Sequence, residues 1–143
     1  MTSPAIAFEA WLVDASVALK WFLPLDREPD GDLARTVIGS LAMRTTSLAF
    51  YEVGNVLARR SGLAAVQIGA ALGLFEDICG EPIELTSADR HSAAVLAHEH
   101  QLTFYDASYA AIARRTGRGL LSADRDLLDP KLAVSLEDVL KQV

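Results

Sequence analysis

Residues Leu102 to Leu128 read LTFYDASYAAIARRTGRGLLSADRDLL, and their order decides the fold class. Asp106 opens an Ala-rich helical run that stops at Gly117. The apolar pair Leu120-Leu121 then leads straight into Ser122-Ala123-Asp124. The pattern is helix, turn, buried strand, acid at the strand's C-terminal end. In a parallel α/β sheet, helix N-termini and strand C-termini share one edge. Asp106 and Asp124 can therefore meet there although a whole helix separates them in sequence.

The flanking sequence extends this pattern. Trp11-Leu12-Val13 has the apolar run of a buried first strand and ends at Asp14, an acid that also suits the N-cap of the helix after it. That helix runs from Val17 to Phe22 and stops before Pro24, and Leu25 to Gly31 reads as a loop. Leu33, Val37 and Leu41 are spaced one turn apart, which predicts an amphipathic helix over Asp32 to Met43. A second strand is expected over Thr45 to Leu48. Next, Phe50 to Leu57 forms a helix with Val53, Val56 and Leu57 inward, and Glu52 and Asn55, three apart, share a face. Ser61-Gly62 interrupts this run, and Leu63 to Ile78 predicts a long apolar helix carrying Gly69 and Gly73. A strand at Ile83-Glu84-Leu85 precedes a helix capped by Ser87 that reaches about His100. After Asp129-Pro130, a last strand (Leu132 to Leu136) and a short helix (Glu137 to Lys141) complete the pattern. Strands alternate with helices and no linker intervenes, so residues 1–143 are expected to form one α/β domain.

Composition narrows the function classes. Apolar residues are 51% of the chain and charged ones 22%, which excludes a disordered or membrane-spanning character. Met1 to Val13 is apolar, but it lacks a basic leader and Glu9 interrupts it, so no signal peptide or membrane span is expected. Cys79 is the only cysteine. It permits no internal disulfide or Cys-based zinc site, and a buried thiol in a reducing cytoplasm suits it. His91, His98 and His100 read as surface residues. The formal charge is 13 − 19 = −6. Nucleic acid would therefore have to be held by local basic patches or by metal ions bridging acid to phosphate.

Four acids stand where a sheet edge would gather them: Asp14, Glu52, Asp106 and Asp124, with Asp126 as a fifth candidate. Clustered carboxylates repel, and burying them unpaired is costly, so they call for a cation. Carboxylate oxygens favour hard divalent ions, here Mg²⁺ or Mn²⁺. Such ions bridge to phosphate oxygens and lower the pKa of a bound water, which is the chemistry of phosphodiester hydrolysis. Rival phosphate chemistries fail on residues. A haloacid-dehalogenase-type phosphatase needs a second Asp where Ser16 stands. A response-regulator receiver needs an acidic pair at the first strand, where Val13 precedes Asp14. No GxxxxGK[ST] or GxGxxG string occurs.

Four segments, LVDASVALKWFLP (Leu12 to Pro24), YEVGNVL (Tyr51 to Leu57), YDASYAAIARRTG (Tyr105 to Gly117) and LLSADRDLL (Leu120 to Leu128), together resemble the PIN-domain ribonucleases. More narrowly, they resemble the VapC-type toxins of type II toxin–antitoxin pairs. The resemblance implies a three-layer α/β/α domain around a central, mainly parallel sheet. It implies a metal-dependent endoribonuclease, held in check by a small antitoxin. The apolar helix Leu63 to Ile78, with Gly69 and Gly73, and the helix bearing Glu52 offer more apolar surface than one small sheet covers, which predicts a homodimer and an antitoxin-binding surface on these helices. The family's four acids fall on Asp14, Glu52, Asp106 and Asp124. Ser122 stands where the family usually has Thr and keeps the hydroxyl, and Asn55, Ser122 and Asp126 are candidate supporting residues. Ser47-Leu48 replaces the usual Pro before the Glu-bearing helix. About ten residues precede the first strand, an N-terminal extension by the family's standard. Arg125 and Lys20 are candidate RNA phosphate contacts, although Lys20 equally fits an exposed helix position. Arg114 and Arg115 read as a solvated helix end favoured by the helix dipole. The alternative function is a catalytically silent PIN-like module that binds nucleic acid or protein. The intact acid set argues against it.

Overall fold

β1 (Ala10–Val13) lies between β2 (Ala42–Arg44) and β3 (Gly119–Leu121) and runs parallel to both, in the order β2-β1-β3. The structure, a computed structural model, describes residues 8–24, 28–60 and 62–142. Trp11, Leu12 and Val13 are buried on both faces of the sheet, which is why the strand reads as an unbroken apolar run. The expected α/β architecture is therefore present, with its parallel sheet. Residues 1–7 of the expected extension, residues 25–27 of the expected loop, and Ser61 lie outside the described residues.

Helices fill the connections. α1 (Ala15–Phe22) follows β1 directly, and α2 (Gly31–Thr36), α3 (Ser47–Arg60) and α4 (Ala65–Cys79) come next. α5 (Ser87–His100) and α6 (Phe104–Thr116) precede β3, and α7 (Arg125–Leu128) and α8 (Leu136–Leu140) end the chain. α6 packs on β1, β3 and α5, and residues Ala107 to Ala113 are buried without a break. Its alanines permit that close approach on all sides, and a helix apolar all round belongs in the interior. Phe75 of α4 joins α1 and α3: its ring lies 5.9 Å from Trp21, 6.0 Å from Phe22 and 4.5 Å from Phe50. Cys79 is buried as expected. Burial pushes its thiol up to about 12 against a smaller opposing pull from Arg44, so it is inert. Among the described residues no helix is long and apolar enough to cross a membrane.

Several elements depart from the sequence reading. The helix expected over Asp32 to Met43 ends at Thr36, before Gly39 (φ 82), and its apolar tail is β2. The second strand is thus Ala42–Arg44 and not Thr45 to Leu48, since α3 already starts at Ser47. The strands expected at Ile83 and at Leu132 to Leu136 reduce to single bridges, Thr46 with Ile83 and Leu121 with Val134. Pro82 has no N–H to extend the first, and Leu136 already belongs to α8. Thr86, not Ser87, caps α5: its hydroxyl accepts from the Asp89 N–H, and the Asp89 carboxylate accepts from the Thr86 N–H. Thr103 likewise caps α6, three residues before Asp106 in the first turn, and its hydroxyl accepts from the Asp106 N–H.

Arg115 also corrects the reading of a solvated helix end. Its Nε donates to both oxygens of Asp89 at 2.9 Å, and its Nη2 donates to the Glu84 carbonyl. Burial works to raise the Asp89 carboxyl, yet Arg115 and Thr86 outweigh it and hold the group below the usual range.

Gly119 fixes how closely β3 approaches its neighbours. A Cβ there would stand 2.5 Å from Phe8 Cδ2 and 2.5 Å from Cζ3 of the buried Trp11. Gly119→Ala should cost about 1–3 kcal/mol, the usual penalty for overpacking. Urea denaturation of the two proteins measures it.

Candidate active site

Asp14 is the residue after β1 and the N-cap of α1, so its carboxylate sits where the central strand ends. It is only 3% exposed. Oδ1 accepts from Ser16 Oγ at 2.6 Å and from the Val17 N–H at 3.2 Å, and Oδ2 accepts from Ser122 Oγ at 2.5 Å. Both hydroxyls are fixed from the other side as well: Ser16 Oγ accepts from the Ala123 N–H and Ser122 Oγ from the Asp124 N–H, each at 2.9 Å. Two serines thus tie the end of β1 to the segment after β3. Burial still pushes the Asp14 carboxyl up to about 6, over the lowering effect of these hydrogen bonds.

The other acids converge on this point. Asp106 enters from the first turn of α6, and Asp124 from the N-cap of α7, where its Oδ1 accepts from the Asp126 N–H at 2.9 Å. Oxygens from Asp106, Asp124 and Asp126 lie within 4.8 Å of one another. Burial comes first in pushing the Asp106 carboxyl up to about 7, followed by Asp124, Asp14 and Glu52. Glu52 reaches the site from α3, and its Oε1 accepts from Tyr109 Oη at 2.7 Å. Tyr109 is buried, and burial together with Glu52 pushes its phenol far upward, so it remains a proton donor. Four carboxylates drawn from four separate segments act on one another at the C-terminal edge of the sheet.

Hard oxygen donors at this spacing, with two carboxyls lifted toward neutrality, suit a divalent cation. Asp106, Asp124 and Asp126 are placed to hold it, with Asp14 and Glu52 adjoining.

The other sequence candidates fall variously. Ser122 is bound to Asp14, and Asp126 joins the tightest carboxylate group. Asn55 is exposed one turn beyond Glu52. Arg125 is exposed and pairs with Asp129 at 3.6 Å. Lys20 is neither exposed nor open to a ligand. It is buried, and its Nζ donates to the Pro29 carbonyl at 2.6 Å and to Glu28 at 3.5 Å, so its charge is spent anchoring that loop. Sequence reasoning passed over Ser16 and Tyr109. Ser16 lies two residues after Asp14, and Tyr109 lies one helical turn after Asp106, and that spacing was the available signal.

Residues 11–131 match the PIN domain. The chain belongs to the PIN domain family, and its curated relatives lie among the VapC proteins. It is 29% identical to Ribonuclease VapC3 of Pyrobaculum aerophilum over 82% of this chain and 92% of that protein. It is 35% identical to Exonuclease VapC9 of the same organism over 65% of this chain and 71% of that protein. In fold it resembles a toxin–antitoxin complex chain from Klebsiella pneumoniae, with TM-score 0.70, 14% identity, and coverage of 89% of this chain and 98% of that one.

The raised acids set a pH dependence with a definite sign. Between about pH 4 and 7 the folded chain holds protons on Asp14 and Asp106 that the unfolded chain has released. Stability therefore falls as pH rises through that window. Below it, loss of the lowered Asp89 acts in the opposite direction. In EDTA, Asp106→Asn should flatten the pH 4–7 slope and be at least as stable as the parent at pH 8. Thermal melts across pH check both; a markedly less stable variant would mean that Asp106 serves the helix and not the cluster.

Proposed function

We propose that the protein is a metal-dependent endoribonuclease, the toxin of a toxin–antitoxin pair. The observation that carries this reading is the carboxylate convergence: Asp106, lifted to about 7, with Asp124 and Asp126 oxygens within 4.8 Å. Helix capping accounts for Asp14 and Asp124 singly, but it does not call for repelling carboxylates to converge, whereas a divalent ion does. The resemblance to VapC3, named a ribonuclease, supports the substrate class.

In this reading Asp14, Glu52, Asp106 and Asp124 are the catalytic and metal-binding residues, and Asp126 supports them. Bound there, Mg²⁺ or Mn²⁺ would offset the charge developing on phosphate and lower the pKa of its water. The protein's own part is orientation. Ser16 and Ser122 fix both Asp14 oxygens, and Tyr109 fixes Glu52 from the far side. Preset donors of this kind need no rearrangement during reaction.

The same reading includes an antitoxin and a homodimer. α4 buries little beyond Phe75 and Cys79, and it leaves Val66 79% and Leu74 50% exposed beside Gly69 and Gly73, which have open space above them. Such a face suits a partner surface. Sedimentation at micromolar concentration should give a dimer; a monomer at all concentrations would remove that part.

Activity is the main test. RNA cleavage should need Mg²⁺ or Mn²⁺ and stop in EDTA. Asp14→Asn or Asp106→Asn should lower turnover by at least about 10²-fold with the fold retained, the scale of losing a preorganised charge. One relative is named an exonuclease, so circular RNA is the substrate to use. Cutting a circle establishes internal cleavage. An Asp14→Asn protein that cuts at the parent rate would reject the metal assignment.

A further inference from the structure

A second feature lies along the outer edge of β3. A cleft of about 840 Å³ between the C-terminal half of α6, β3 and the chain's last turns is lined by Arg114, Arg118, Lys131 and Lys141, with Asp138 the one acid among the described residues that line it. The whole chain carries 19 acids and 13 bases, so this local balance runs against the net charge of −6. Lys141 is partly neutralised, at 3.6 Å from Glu137 and 3.8 Å from Asp138. Among the described residues, Arg114, Arg118 and Lys131 have no carboxylate at ion-pair distance.

Two details bear on these cations. Arg118 borders both this cleft and the hollow beside Met43 and Asp77, and its Nε is buried without a hydrogen-bond partner among the described residues. Lys131 stands in the left-handed backbone region (φ 63), where glycine or asparagine is the ordinary choice, so a long cationic side chain occupies a costly position. The dipole of α6 accounts for a cation at Arg114, in its last turn, but not for Lys131 or Lys141 across the cleft.

We propose that this cleft is an exosite for the phosphate backbone of single-stranded RNA, an inference that rests on the nuclease reading above. Gly119 lines the cleft and Asp124 belongs to the acidic site. The five residues from one to the other span at most about 18 Å of chain, within the reach of a few nucleotides. The acidic site itself offers a strand little attractive charge: Arg125 beside it is paired with Asp129 and Lys20 is buried. Phosphate contacts position a strand without reading its sequence. The cleft would hold RNA in register while the acids cut.

The test has two arms. In the first, the full chain carrying Asp106→Asn, in EDTA, binds a labelled single-stranded RNA over a range of salt. Adding Arg114→Gln with Lys131→Gln, both exposed positions, should weaken binding about tenfold and reduce the log–log salt slope by about 1.4, near 0.7 per lost contact. Arg59→Gln with Arg90→Gln, also exposed, removes the same charge elsewhere and should change little. Equal effects of the two pairs would overturn the exosite, whether the cleft then serves an acidic protein segment or only solubility. In the second arm, with Asp106 intact and Mg²⁺ present, the cleft pair should lower kcat/KM on a long strand and spare it on a substrate of a few nucleotides. Equal loss on both lengths would also overturn the exosite. If the parent protein cuts no RNA, the nuclease reading fails, and the binding arm still decides the cleft.

Discussion

A carboxylate with 3% exposure cannot stay at the end of a buried strand unless hydrogen-bond donors surround it, and Asp14 has them from two directions. Ser16 comes from its own helix and Ser122 from the end of β3, and each hydroxyl is held by a backbone N–H behind it. These contacts do two things at once. They replace the water the carboxylate lost, and they tie together the ends of the two strands whose following residues carry the acids. The parallel β1–β3 pairing places Val13 beside Leu121, and the Asp14 N–H continues the ladder to the Leu121 carbonyl. From there the Ser122 N–H bonds the Val134 carbonyl and the Asp124 N–H bonds Ser122 Oγ, which set the segment that follows β3.

The remaining acids depend on α6 in the same way. Its buried face from Ala107 to Ala113 lets it lie close against the sheet, and Asp106 and Tyr109, one turn apart, project from its N-terminal half. Tyr109 then carries the constraint across to α3 through Glu52. At the helix's other end, Arg115 locks Asp89 and the Glu84 carbonyl, so the segment cannot slide relative to α5. The site is therefore fixed by a helix anchored at both ends.

Much of this was legible in sequence, for identifiable reasons. β1 and β3 are buried on both faces, so each is an unbroken apolar run followed by an acid, and that pattern has few other readings. α6 was legible because the small and apolar run Ala107 to Ala113 is followed by two arginines and then by a glycine with φ 67 that ends the helix. β2 was not, because Leu33, Val37 and Leu41 keep helical spacing into its edge and only Gly39 marks the break. Ile83 and Val134 carry strand-like residues but make one bridge each, and pairing length is a tertiary property. The acids could be collected from their positions after strands and in first turns. Of the hydroxyls that orient them, Ser122 could be named from the family pattern but Ser16 could not: the two are 106 residues apart and meet at 3.3 Å only once β1 and β3 pair. Lys20 was misread for the same reason, since nothing local shows that the chain returns at Pro29 to accept its charge.

Charge placement ties the fold to the proposed chemistry. Net charge −6 repels a polyanion at long range, and an uncompensated acid cluster adds to that repulsion at the point of reaction. A divalent ion reverses the sign only locally, because charges more than about 8–10 Å away are screened at physiological salt. Any attraction beyond that radius has to come from cations set off from the acids. If they stood among the acids, the carboxylates would pair with them, as Asp89 pairs with Arg115, and would be lost as ligands. The parallel sheet resolves the conflict by separating the two charge types. Strand C-termini gather acids at one edge, while the last turn of α6 and the segment after α7 collect unpaired bases along the side of β3. An acidic protein attracts RNA only through cations that are kept away from its own carboxylates.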